Sequence, residues 1–222
     1  MIVVVGGIKG GSGKTTVATN LAVMRAKGAD VLLVDADDQE TSFDFTVLRN
    51  ERTENRAGYT CIKLTGAGLR TETQRLAEKY QDIIIDTGGR DTTSQRAALS
   101  VAHALLVPFV PRSFDVWTLE KVARLVAEVQ AVNDRLIAHA FINRADPRGQ
   151  DNEQAAEVIR DTPALSFLDT PIGNRKAFAN AGALGLGVAE LTPSDPKATI
   201  EMRTLFERLF NVAPTLRAVG SA

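Results

Sequence analysis

A single cysteine, Cys61, stands in the 222 residues. That excludes a disulfide framework within the chain and a cysteine-ligated zinc or iron–sulfur site within one subunit. Cys61 lies in the strand-like run Tyr59–Leu64, where a buried, inert thiol is expected. Aromatic residues make up only 5% of the chain and tryptophan occurs once, as Trp117, expected to pack a helix face. Neither sign of charge dominates: 26 basic against 27 acidic residues give a net charge of −1. No global basic field therefore marks a nucleic-acid partner, and any DNA contact needs a local patch. No apolar run approaches the ~18 residues of a membrane span. The opening run Met1–Val5 is too short for a signal-peptide core and has no basic leader, so a cytoplasmic protein is expected. His103 and His139 have no Cys, Asp or Glu at ligand spacing and read as core or surface histidines. Ser94 and Ser100 sit in no recognisable nucleophile context.

What is present is an ordinary globular balance, 44% apolar and 24% charged, in a length suited to one well-cored domain. We expect that domain to span residues 1–212, with a frayed tail over 213–222 that holds Pro214 and Gly220. Strand-like and helix-like runs alternate. Ile2–Val5, Val31–Val34, Ile83–Ile85, Ala104–Val110 and Ile137–Ile142 are apolar runs of the kind buried on both faces of a parallel sheet. Tyr59–Thr65 and Leu165–Leu168 are further candidate strands. Helices are expected over 14–27, stopped by Gly28, and over 69–80 as an exposed helix. Two more are expected over 115–132 and 151–161, and another after Ser194 or Asp195 with Pro196 in its first turn. Ile200, Leu205 and Leu209 are its expected core face. Residues 37–58 read as a loop or short helices. The alternation implies an α/β fold: a mostly parallel twisted sheet with helices on both faces. In such sheets ligands sit at the carboxyl ends of the strands.

The chemistry-bearing motifs fall at those ends. After the first strand comes Lys9-Gly10-Gly11-Ser12-Gly13-Lys14-Thr15-Thr16. The three glycines let backbone N–H groups turn inward around phosphate oxygens, and the following helix adds its positive end. Lys14 is placed to neutralise the β- and γ-phosphates, the Thr15 hydroxyl to ligate Mg²⁺, and Thr16 to reach the α-phosphate. A nucleoside triphosphate with magnesium is the expected ligand. After the second strand stand Asp35, Asp37, Asp38 and Gln39. After the third stand Asp86, Gly88 and Gly89, a Walker B-like strand end with Asp86 as a magnesium ligand. Asn143 ends the fifth.

One departure is informative. Ile8 occupies the position where the common P-loop has glycine, and a second lysine, Lys9, stands at the loop entrance. Two lysines flanking Gly-Gly-x-Gly resemble the deviant P-loop of the ParA/MinD ATPases, and Asp35–Gln39 resembles that family's Asp-x-Asp-Pro-Gln segment with Asp38 in place of proline. Pro108–Asp115 and Thr170–Phe178 match the family in spacing and character. The resemblance implies an ATPase using ATP/ADP and Mg²⁺, closest to small partition ATPases without an N-terminal helix-turn-helix domain. It implies that Lys9 crosses a dimer interface to the partner's nucleotide and that Asp35 helps hold the magnesium shell. It further implies that Asp37 orients the attacking water, Gly88 and Gly89 form a second switch, and Asn143 contacts adenine. An ATP-dependent homodimer would bind DNA nonspecifically, with Arg175, Lys176, Arg203 and Arg208 as candidate contacts. A centromere-binding partner, ParB-like or ribbon-helix-helix, would stimulate hydrolysis, and the protein would be associated with the nucleoid rather than a membrane. Positioning of a protein cargo uses the same cycle. A metabolic P-loop enzyme of the dethiobiotin synthetase type is the alternative of another class.

Overall fold

The computed structural model describes residues 1–111, 116–146 and 150–211. The expected tail over 213–222, and Arg112–Asp115 of the 108–115 segment, lie outside the described residues. Eight strands alternate with helices: β1 (Ile2–Val5), α1 (Lys14–Arg25), β2 (Val31–Ala36), α2 (Thr41–Arg52), β3 (Thr60–Lys63), α3 (Gly68–Leu76), β4 (Asp82–Thr87) and α4 (Thr93–Leu99). Then follow β5 (Ala104–Phe109), α5 (Val116–Gln130), β6 (Ile137–Ala145), α6 (Asp151–Arg160), β7 (Ser166–Phe167), β8 (Ile172–Gly173), α7 (Lys176–Gly182), a 3₁₀ turn (Val188–Glu190) and α8 (Pro196–Asn211). The strands run in the order β3-β2-β4-β1-β5-β6-β7, with β8 beside β6, and every recorded pairing is parallel.

This order follows from the apolar runs. A strand such as Ile2-Val-Val-Val5 has no polar face, so it is stable only with a helical layer on each side. Successive residues serve alternate layers. Ile2 and Val4 pack in one core with α5, α6 and the buried ends of α3 and α4. Val3 and Val5 pack in the other with α1, α7 and α8. From β1 the chain moves to β2 and β3 on one side and returns to β4. It then crosses to β5 on the far side of β1. That reversal opens the crevice in which such sheets hold ligands.

Three expectations need correction. Residues 37–58 form a loop at each end but one regular helix, α2, between. Its buried positions Ser42, Phe45, Thr46 and Arg49 have helical spacing, yet only one is a large apolar residue. Ile200 does not join the core face of α8: it is 61% exposed, and Ala198, Met202, Leu205 and Leu209 are the buried set. Trp117 does not pack away either and is 73% exposed on α5. The cap of α8 is Asp195, whose Oδ1 accepts the Ala198 N–H at 3.0 Å. Among the described residues no helix is long and apolar enough to cross a membrane.

The polar core of α2 has a structural purpose. Arg49 is buried and its guanidinium donates to the Ala57 and Gly185 carbonyls at 2.8 and 3.2 Å. It also forms a two-pronged ion pair with Glu190 at 2.7 and 2.9 Å. Gly185 is packed so closely that a Cβ there would lie 2.6 Å from the Arg49 backbone nitrogen. Arg49→Ala therefore strips donors from two carbonyls and leaves Glu190 without its cation, holding only the Gly187 N–H at 2.9 Å. We expect it to cost about 2–4 kcal/mol of stability, below the range for a fully buried pair because Glu190 is partly exposed. Urea unfolding of the variant against wild type measures this.

Candidate nucleotide and magnesium site

The P-loop runs from the end of β1 into α1. Gly11 and Gly13 have φ of 72° and 92°, in the left-handed region that side chains resist. Gly13 is constrained twice, because a Cβ there would also collide with the Asn143 amide nitrogen. That amide donates to the Ser12 carbonyl at 2.7 Å. The strand-end asparagine of β6 therefore buttresses the loop from below; its donor faces the loop backbone. The Lys14 ammonium donates to the Lys9 carbonyl at 3.0 Å, closing the loop on itself. Burial lowers the Lys14 pKa, and the Asp86 and Asp37 carboxylates partly offset this. Lys9 is half-buried at the loop entrance.

The register of β2 on β4 sets Asp35 beside Asp86. The two carboxylates have different roles. Asp35 Oδ1 accepts the Asp37 N–H at 3.1 Å and Oδ2 accepts the Phe43 N–H at 2.8 Å. It thereby fixes the loop 37–40 and satisfies an open donor in the first turn of α2. Asp86 is fully buried, and neither of its oxygens has a hydrogen-bond partner. Burial pushes its pKa up to about 7; the nearby Thr15 hydroxyl eases the shift, Asp35 increases it, and Lys14 and the Ser42 hydroxyl ease it further. An orphaned carboxylate beside a threonine hydroxyl and a phosphate cradle fits the role of a cation ligand. No group of three or more His, Cys, Asp or Glu residues among the described residues could hold a metal by itself. This suits Mg²⁺, which takes one or two protein ligands and completes its shell with phosphates and water.

The two segments expected to act as switches touch each other, and the second touches the cradle. A Cβ on Gly88 would lie 3.1 Å from Asp37 Oδ1, and one on Gly89 would lie 2.7 Å from the Gly10 backbone. The glycines are thus required by close approach as well as by flexibility. Asp37 is half-buried, and its Oδ1 accepts the Gln39 N–H at 3.3 Å. Asp38 is exposed at the turn where the family has proline.

Sequence reasoning missed Gln95, which is 0% exposed at the start of α4. Oriented to satisfy its neighbours, its amide donates to the carbonyls of Gly7 at 3.1 Å and Arg90 at 3.0 Å. It clamps the strand end before the P-loop to the segment after Gly89. The one signal was Thr92, three residues earlier, whose side chain accepts the Gln95 N–H and caps α4. We expect Gln95→Leu to lose about 1–3 kcal/mol in a chemical melt, chiefly the cost of leaving the carbonyl of buried Gly7 without its donor.

The candidate DNA contacts do not gather at this site. Arg175 is committed to Glu201 through two guanidinium nitrogens, one at 2.9 Å. Its side chain remains 29% exposed. Lys176, Arg203 and Arg208 are exposed on α7 and α8. Cys61 is half-buried, and burial pushes its thiol up to about 11, as expected of an inert residue.

Residues 3–188 match the family model described as the CobQ/CobB/MinD/ParA nucleotide binding domain. A protein ParA of Rhizobium radiobacter is 30% identical over 189 residues, covering 80% of each chain. The maintenance of carboxysome distribution protein A of Halothiobacillus neapolitanus is 22% identical over 92% of this chain and 94% of that one. Among solved structures, apo McdA of Cyanothece has a TM-score of 0.79 at 20% identity, covering 94% of this chain and 98% of the other. Cobyrinic acid a,c-diamide synthase of Mycobacterium smegmatis with bound ADP and magnesium has a TM-score of 0.74 at 20% identity, over 95% and 94%. On the match over residues 3–188, the chain belongs to the CobQ/CobB/MinD/ParA nucleotide-binding domain family, P-loop ATPases whose cofactors are ATP or ADP and magnesium.

Proposed function

We propose that this chain is a ParA-like ATPase that partitions DNA, with ATP bridging two copies into a dimer that binds DNA and releases it on hydrolysis. One observation carries the reading: a P-loop with a second lysine, Lys9, at its entrance, against which Gly89 is packed, with Asp37 packed in turn against Gly88. The 30% identity to a protein ParA supports this reading. Residues 1–212 form the ATPase domain in this reading. Lys14 and the loop N–H groups hold the phosphates, while Thr15 and Asp86 hold Mg²⁺, which supplies charge neutralisation. Asp35 acts as a positioning residue for the 37–40 loop and adds to the magnesium shell through its remaining lone pairs. Asp37 orients the attacking water. Phosphoryl transfer to water requires alignment and electrostatics more than a strong base, so a half-buried carboxylate beside a switch glycine suffices. Asn143 holds the P-loop with one amide N–H and has its second N–H and its carbonyl oxygen left for adenine. DNA contact falls to Lys176, Arg203 and Arg208, with Arg175 held beside them by Glu201, all duplicated in the dimer. A partner of the ParB or ribbon-helix-helix kind triggers hydrolysis.

Lys9→Ala is the test. It leaves the phosphate cradle intact, so ATP affinity stays within a few-fold of wild type. The ATP-dependent dimer in sedimentation velocity is lost. Equal dimerisation of the two proteins sinks the reading of Lys9. Retardation of duplex DNA should require ATP; retention without nucleotide counts against a partition cycle.

A second reading has the same cycle position a protein assembly. It is favoured by the 92% coverage of this chain by the carboxysome-distribution relative. Pull-down with ATP separates the two, a DNA-binding adaptor supporting the first and an assembly component the second.

A further inference from the structure

We propose that the cleft between α4 and α5, beside the P-loop entrance, docks an acidic peptide segment of a partner protein. The cleft has a volume of about 440 Å³ and an apolar floor of Ile8 and Leu125. Its walls carry four cations, Arg90, Arg96, Lys121 and Arg124, against two carboxylates, Asp91 and Glu128, an excess of two positive charges. Both carboxylates are already engaged by Arg96, at 2.6–2.7 Å for Asp91 and 2.8 Å for Glu128. Arg90, Lys121 and Arg124 are exposed and form no ion pair among the described residues. In a chain with a net charge of −1, this is a local field of the sign opposite to the whole, and it selects an acidic partner.

Trp117 marks the same face. It precedes Lys121 by four residues and Arg124 by seven, so the three share one stripe of α5. At 73% exposed it is the most exposed aromatic body the described residues offer. Tryptophan and arginine are the side chains that most often anchor interfaces. A peptide that alternates carboxylates with apolar side chains meets the cationic rim and the Ile8–Leu125 floor together. Duplex DNA fits less well, because the cleft is concave, its floor is apolar, and two carboxylates stand among its cations. The position gives the contact a consequence. Ile8 directly precedes Lys9, and Arg90 directly follows Gly89, whose backbone abuts Gly10. An occupant therefore touches the cradle and its switch at once; coupling to the nucleotide state rests on the ATPase reading above.

The single tryptophan makes the test direct. The intact chain without nucleotide is titrated at low salt with a synthetic dodecapeptide of alternating Glu and Leu, following Trp117 fluorescence. A saturable change is expected. The double variant Lys121→Glu/Arg124→Glu should weaken binding by about tenfold or more, and raising salt should weaken it for wild type alone. Circular dichroism checks the fold, and Lys121→Gln/Arg124→Gln replaces the reversal if folding suffers. Absence of a saturable change, or equal affinity of variant and wild type, overturns the proposal. So does tighter, variant-sensitive binding of a duplex oligonucleotide, or a variant whose only defect is ATP-driven self-association, which would assign the cleft to a second copy. No nucleotide enters the first measurement, so its failure leaves the ATPase reading to be judged by Lys9→Ala.

Discussion

Lys14→Ala is expected to weaken ATP binding by about two to three orders of magnitude, measured by calorimetric titration with ATP and Mg²⁺. The estimate rests on the surroundings of the ammonium. Lys14 is 6% exposed, so water replaces little of what it loses, and truncating one member of a buried charged pair costs about 2–5 kcal/mol, a span whose middle is that range of affinity. The apo protein should tolerate the change. Burial already works against the charged form of Lys14, and its hydrogen bond in the apo protein is to a single backbone carbonyl, that of Lys9. Lys14→Met keeps the stem and removes only the charge. It should lose the same affinity with a melting temperature close to wild type. A variant that binds ATP within tenfold of wild type would remove Lys14 from the phosphate site.

The parts of this fold that were legible in the sequence are those where one physical demand acts alone. Ile2–Val5 and Ile83–Ile85 must be strands buried on both faces, and three glycines before Lys14 must form a cradle. Asp35 and Asp86 were legible as strand ends, but their division of labour was not. It depends on which backbone N–H groups reach which oxygen, and Phe43 approaches Asp35 only because α2 forms. That helix was hidden because its buried face is Ser42, Phe45, Thr46 and Arg49. A polar core obeys helical spacing without an apolar stripe to reveal it. Gln95 was hidden for a related reason. Its importance lies in two backbone carbonyls, one of which, that of Gly7, is far away in sequence. Asn143 was legible as a functional strand end, and the structure directs its amide nitrogen to the P-loop backbone. Ile200 failed in the opposite way. Apolar character was read as burial, although exposed apolar residues are common and Ala198 and Met202 fill that face.

Asp86→Asn should act in opposite directions on stability and on nucleotide binding, and that opposition tests the magnesium assignment. Burial raises the Asp86 pKa from 3.8 to about 7. Between those values the folded protein holds a proton that the unfolded chain has released. Stability therefore falls as pH rises through this window, by a few kcal/mol at most for this group. The asparagine variant has no such proton to lose. The difference between variant and wild-type unfolding free energies should be small at pH 4.5 and should favour the variant by about 2–4 kcal/mol at pH 8. Taking the difference cancels the other titrating groups. Magnesium reverses the preference, because a bound cation gives the ionised carboxylate the partner it lacks. ADP with Mg²⁺ should stabilise the wild type more at pH 8 than at pH 6, and the variant should lose most of the magnesium-dependent part at both. If variant and wild type show parallel pH profiles, burial does not hold a proton on Asp86, and if Mg²⁺ stabilises both equally, Asp86 is not the magnesium ligand. A variant more stable when apo and less stabilised by Mg²⁺–ADP would mean that the site trades folding stability for a cation it must wait to bind.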